Sequence, residues 1–206
     1  MPRDMKFWLP VHEAGHAVLA IAAGVIPDFV RVYYGHNDGG ETSLPVSRKN
    51  DVEWELKFMA AGVAAEMMIY DHEKKRIPHQ DMLDAAADRS RADRAEYRKV
   101  VDFVAMGMDP TNGPAINARF FSFAIYEVQP IIRADTMRFD LFRRALETRA
   151  FVGHAGIRAI LGGNPPSQAD IDLDAKQEWH VINDLPYVEE PGSRIRSLIA
   201  RFRSYF

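Results

Sequence analysis

Close to its start the chain carries Pro10-Val11-His12-Glu13-Ala14-Gly15-His16-Ala17-Val18. Proline suits a first helical position, and Gly24 with Pro27 supplies a stop, so the spacing predicts a helix from Pro10 to about Ala23. Residues four apart share a helix face, which lets His12 and His16 aim two imidazoles at one ion. Neutral imidazole is a good ligand for Zn²⁺, and two of them fill half of a tetrahedral shell. Glu13 follows His12 directly, within reach of a water at the ion without ligating it, and suits a general base. This is the H-E-x-x-H pattern of zinc hydrolases. The ordinary alternative is a pair of half-buried histidines on a core helix. Against it, Val11, Ala17, Val18, Ile21 and Ala22 are apolar, and a Glu with two His buried among them needs partners. Ala14 and Gly15 are small enough for another helix to press close behind.

Outward from this helix, Phe29 to Tyr34 is rich in β-branched and aromatic residues and reads as a strand. Asn37-Asp38-Gly39-Gly40 reads as a turn, and Glu41 to Val46 as the returning strand. The hairpin either caps the core or offers an edge along which an extended peptide could lie. Asp51 to about Tyr70 is the next helix, with Asn50 or Asp51 as its cap. Its run Ala60-Ala61-Gly62-Val63-Ala64-Ala65 is small enough to match Ala14-Gly15. Glu66 then falls among apolar neighbours, either as a surface carboxylate or as one that holds the outer nitrogen of a metal-bound histidine.

Residues 71–80 read as a polar loop, with His72 and His79 as ordinary exposed histidines. Asp84 to about Gly107 reads as one charged helix. Its densest part, Asp88 to Arg94, is of the mixed kind that usually faces solvent. Asp109 to Gly113 reads as a turn, and 115–150 as mostly helix, with a break or kink near Val128 forced by Pro130. Val152-Gly153 is read as punctuation and Ile157 to Leu161 as a short helix. Residues 162–167 read as a linker and 168–192 as acidic coil. The segment 193–206 puts Ile195, Leu198, Ile199 and Phe202 on one face, beside four arginines. It suits an anionic membrane surface or a protein partner, though docking on its own domain is the commoner use.

The 206 residues fit one domain, 1–162, with a C-terminal extension, 163–206. With 47% hydrophobic and 27% charged residues, the chain can bury a core. The balance of 26 basic against 29 acidic residues gives no reason to expect nucleic acid as a partner. Cysteine is absent, which excludes disulfides and thiolate metal sites. With no apolar run of membrane-spanning length and no leader pattern, the expected compartment is the cytoplasm.

The ordered set Val11-His12-Glu13-Ala14-Gly15-His16-Ala17, Gly39-Gly40-Glu41-Thr42-Ser43-Leu44-Pro45 and Ala61-Gly62-Val63-Ala64-Ala65-Glu66 resembles the peptidase domain of the FtsH family of zinc proteases. Pro130 to Leu146 and Val152-Gly153 with Gly156-Ile157 resemble that domain's closing helices, so the likeness covers roughly residues 7 to 162. It implies a mainly α, zincin-like metallopeptidase domain with a small β-hairpin beside the metal helix. It further implies Zn²⁺ held by His12, His16 and an aspartate on a later helix. Asp93, in Ser90-Arg91-Ala92-Asp93-Arg94-Ala95, matches that aspartate's setting, with Asp84 and Asp88 as alternatives. Glu13 is then the catalytic base, Gly40 and Thr42 lie on the substrate-binding strand, and Glu66 supports a zinc-bound histidine. The family's ATPase motif Gly-x-x-x-x-Gly-Lys-Ser/Thr is not in the sequence, so the expectation is an endopeptidase acting without ATP on unfolded or flexible polypeptides. The alternatives are a non-catalytic zinc-binding interaction module and a zinc hydrolase of non-peptide substrates.

Overall fold

Helix α1, Met5–Ala22, runs through the centre of the molecule, buried from Trp8 to Ala20. In the computed structural model residues 5–35, 38–45, 51–73, 79–104 and 119–183 are described. The helix starts a turn and a half earlier than the sequence suggests, and Pro10 lies inside it. An interior proline costs a hydrogen bond and strain. The apolar residues upstream offset that cost, since Trp8 and Leu9 are both buried. The carbonyl of Lys6, which loses its helical donor to Pro10, has the Tyr34 hydroxyl 3.5 Å away.

Helix α2, Val52–Glu73, packs against α1. Asp51 caps it, accepting from the Trp54 N–H at 3.2 Å. The small-residue run does what its composition suggests. A β-carbon on Gly15 would lie 2.5 Å from the Ala61 carbonyl oxygen and 2.7 Å from the Ala65 β-carbon. The two backbones therefore approach as closely as glycine and alanine permit.

Strands β1, Phe29–Tyr33, and β2, Gly39–Ser43, form a hairpin where one was expected, but β2 takes in Gly39 and Gly40, which were read as turn, and ends at Ser43. Phe29 lies opposite Ser43 and Tyr33 opposite Gly39. Arg31 and Glu41 face each other across it and pair at 2.7 Å, which favours this register. A third strand, β3 at Phe151–Val152, pairs with the other edge of β1. Val152 was read above as punctuation with Gly153; no periodicity can be recognised in so short a strand. The order β2-β1-β3 leaves β2 at an edge of this sheet.

The single charged helix expected over 84–107 is two. Helix α3 is His79–Arg89 and α4 is Arg91–Val104. At the junction the Ser90 hydroxyl donates to the Ala86 carbonyl at 2.7 Å, a back-bond of the kind that bends helices. His79 opens α3, and the backbone of His72 belongs to α2, where a loop was expected. Helix α5, residues 119–133, continues past Pro130, and the irregularity expected near Val128 is a π-helical turn at Ala124–Val128. Helix α6, Thr136–Arg149, ends at Ala150, which takes a left-handed φ of 63° and passes its carbonyl to the Val32 N–H at 2.8 Å. Phe120, Ile132, Phe139, Phe142 and Leu146 from these helices fill the core with Ile157 and Ile160 of α7, His154–Leu161.

The stretch expected to be coil from 168 contains helix α8, Gln168–Ile182. Ser167 and Asp170 make a reciprocal capping box at its start. The helix docks through two buried polar residues. Asp174 accepts from the Ala155 and Gly156 N–H groups at 3.0 and 3.1 Å, capping α7, whose own N-cap is a glycine. Gln177 accepts from the His154 N–H at 2.8 Å and donates to the Asp28 carbonyl at 3.0 Å. No described helix is long and apolar enough to cross a membrane. The turn at 109–113 and the basic segment 193–206 lie outside the described residues.

Asp174→Ala leaves two buried N–H groups without an acceptor and is expected to lower unfolding free energy by about 1–3 kcal/mol. Asp174→Asn keeps an oxygen for both and should cost much less. Urea unfolding of the two variants tests this; equal losses would mean that the cap contributes nothing.

Candidate metal centre

The metal-ligand reading of α1 needs both histidines buried and facing one point; the outer nitrogen of His12 is held, whereas buried His16 Nδ1 has no hydrogen-bond partner among the described residues. Both are buried, at 5% and 4% exposure. The His12 ring lies against Gly62 of α2, where a β-carbon would fall within the imidazole. Its Nδ1 is 2.8 Å from Glu66 Oε1, and Glu66 is itself fully buried. The far oxygen of that carboxylate, Oε2, accepts from Arg89 Nε at 2.9 Å and from Arg89 Nη2 as well. The His16 ring is tilted against Phe58, centroids 4.8 Å apart, and Phe58 stacks on Trp54.

Asp93, in the first turn of α4, completes the convergence. Its Oδ2 is 2.9 Å from His12 Nε2 and 3.5 Å from His16 Nε2. Ligands about 2.0–2.1 Å from a tetrahedral ion stand about 3.3 Å apart, so these separations fit one ion among the three atoms. Hydrogen bonding makes the same point. With the Nδ1–H of His12 donated to Glu66, Nε2 presents a lone pair to a carboxylate oxygen that also presents one. A proton or a cation must sit between them. The donor set, two imidazoles and a carboxylate, is one that suits Zn²⁺. Asp84 and Asp88, the other aspartates considered, are exposed residues of α3.

Glu13 is the remaining acid of the cluster, and its donor atoms lie within 4.8 Å of those of His12 and His16. It is turned toward β2. The Thr42 hydroxyl donates to Glu13 Oε2 at 2.8 Å, and Gly40 packs so closely on the Glu13 side chain that a β-carbon would overlap it. Gly40 and Thr42, singled out above as substrate-strand residues, therefore also grip the proposed base. His12, Glu13 and Asp93 line a cavity of about 480 Å³, with Leu9, Tyr33 and Gly40 among its other walls.

Burial disfavours a charge on His12, yet the hydrogen bonds and charges of Asp93 and Glu66 outweigh it and push its pKa up to about 10. Burial also works against ionised Asp93, but His16 and His12 hold its carboxyl well below the usual range. For Glu13 burial wins over the same histidines and raises the carboxyl above its ordinary value. A base whose pKa is lifted toward neutrality suits proton transfer better than a solvated glutamate does.

Sequence reasoning named His12, Glu13, His16, Glu66 and Asp93, and the fold brings all five together. It missed Arg89, which was read as part of a solvated charge run although its side chain is only 2% exposed. The position did carry a signal: Arg89 precedes Asp93 by four residues, so one end of that run had to turn inward if Asp93 did. The chain matches no family model, and no curated protein matches it.

In metal-free protein the imidazolium of His12 bridges Asp93 and Glu66. Its folded pKa near 10 exceeds the ordinary 6.5, so its contribution to stability is complete below about pH 6.5 and is lost as the pH rises toward 10. Chelator-treated protein should therefore lose thermal stability over that range relative to zinc-loaded protein, in which the ion replaces the proton. Parallel profiles for the two forms would count against this bridging role.

Proposed function

We propose that the protein is a zinc-dependent endopeptidase with a zincin-like, FtsH-type catalytic domain, acting on unfolded or flexible polypeptides. The observation that carries the reading is the convergence of His12 Nε2, His16 Nε2 and Asp93 Oδ2 beside a cavity that also receives the buried carboxylate of Glu13. Zn²⁺ held by His12, His16 and Asp93 supplies Lewis acidity, making a water more acidic and a carbonyl more electrophilic.

The chain's own groups do the rest. Glu13 takes the proton of the attacking water and returns it to the leaving amine. Thr42 holds Glu13 Oε2, so the carboxylate meets the water in one orientation. Glu66 fixes the His12 ring by accepting its Nδ1–H. A peptide substrate is favoured by the neighbouring strand. Strand β2 presents Gly40 and Thr42 to Glu13 and lies at an edge of its sheet, to which an extended backbone can add as a further strand. Only an unfolded or locally opened chain offers such a segment.

Glu13→Gln should retain zinc and the fold while losing about two or more orders of magnitude in peptide cleavage. Undiminished cleavage by that variant would sink the assignment of the base. Asp93→Ala should empty the site, as read by metal analysis after dialysis, whereas Asp84→Ala and Asp88→Ala should stay loaded. Loss of zinc from either of those two would move the third ligand elsewhere.

The substrate class is tested with one small domain in its native form and in a destabilised variant. Only the destabilised form should be cut, and a chelator should stop the reaction. Bound zinc with no cleavage of any peptide would point instead to a non-catalytic metal module.

A further inference from the structure

Arg89 lies outside the ligand set, although it borders the same cavity, and it is among the most thoroughly enclosed cations of the described residues. Its side chain is 2% exposed, and its partner Glu66 is fully buried. Its guanidinium lies 5.0 Å from the centroid of the Trp8 ring, so an aromatic face covers the side that Glu66 does not. The two oxygens of Glu66 are divided between two tasks. Oε2 takes both Arg89 donors, and Oε1 takes His12 Nδ1. A carboxylate held at one oxygen by a planar two-pronged donor cannot rotate without breaking those bonds.

Stability is a poor reason for such a pair. Desolvating both charges costs about as much as their attraction returns, and apolar replacements of buried pairs are often neutral or better. The geometry points to a different use. We propose that Arg89 is a positioning residue of the metal site, acting through Glu66 to hold the His12 ring so that Nε2 faces the ion. This rests on the zinc reading given above. It predicts that Arg89 changes metal affinity without touching the metal, by the route through which outer partners of ligating histidines act.

The test measures zinc dissociation constants by competition with a chromophoric chelator, together with thermal midpoints. The proteins compared are the wild type, Arg89→Met, Glu66→Gln and the double variant. Arg89→Met should weaken zinc binding by about 10- to 100-fold, and Glu66→Gln should do so to a similar extent. The double variant should bind no more weakly than Glu66→Gln alone, because the arginine has nothing left to act on.

A wild-type zinc constant in Arg89→Met, whatever its thermal midpoint, overturns the proposal and leaves an ordinary structural ion pair. So do losses that multiply in the double variant, since Arg89 would then act by some route other than Glu66. If Arg89→Met does not fold, Arg89→Lys, which keeps the charge but loses the two-pronged hold on Glu66, replaces it: zinc binding should again weaken, and a wild-type constant overturns the proposal. A wild-type protein that binds no zinc overturns the metal reading and this proposal with it. That outcome differs plainly from normal wild-type binding with an indifferent Arg89.

Discussion

The near-contact between the backbones of α1 and α2 governs the rest of the structure. Gly15 against Ala61 and Ala65 sets the separation, and a single β-carbon at Gly15 would have to displace main chain. At that separation the His12 ring has only the bare Gly62 position to occupy, and Glu66, one turn further along α2, comes level with His12 Nδ1. The apolar packing thus places the polar groups. Ala60, Ala61, Val63, Ala64 and Ala65 are fully buried, so the carboxylate that follows them is carried into the interior by its neighbours.

Once there, the charges have to balance. Glu66, Asp93 and Glu13 bring three carboxyl groups around the histidine pair, and Arg89 answers only the first. Uncompensated charge at this depth is far costlier than at the surface. The cluster can respond by protonating His12, by protonating Glu13, or by taking up a divalent ion. The raised pKa values of His12 and Glu13 are the first two responses. A divalent cation among His12, His16 and Asp93 relieves the same deficit without a proton on the imidazole. The arrangement that burial makes unfavourable when empty is for that reason one that favours a metal.

Signals that act within one or two turns were readable in the sequence. The four-residue spacing of His12 and His16, the small-residue run before Glu66, the cap at Asp51 and the Phe29–Ser43 hairpin all emerge where their local chemistry places them. The misses depend on geometry between distant segments. Pro10 looked like a helix start because the gain from burying Trp8 and Leu9 cannot be read locally. Arg89 looked solvated because the bend at Ser90, which splits α3 from α4 just where Arg89 meets Glu66, cannot be read locally. Strand β3 exists because Ala150 turns the end of α6 back against Val32. Helix α8 is the exception. Ser167-Gln168-Ala169-Asp170 is a capping-box pattern in plain view, outweighed in the reading by the acidic, weakly periodic residues that follow it.

That helix bears on the site more than its place in the chain suggests. Gln177 of α8 donates to the Asp28 carbonyl, and the N–H of Asp28 donates to the Ser43 carbonyl at the end of β2. Strand β2 in turn presents Gly40 and Thr42 to Glu13. A shift of β2 would move Gly40 and Thr42 together, and with them the grip on the Glu13 carboxylate. Its position is set on one side by the β1 register, with Arg31 opposite Glu41, and at its end by Asp28. Because Asp28 is tied to α8, residues of that helix help fix how β2 sits against Glu13.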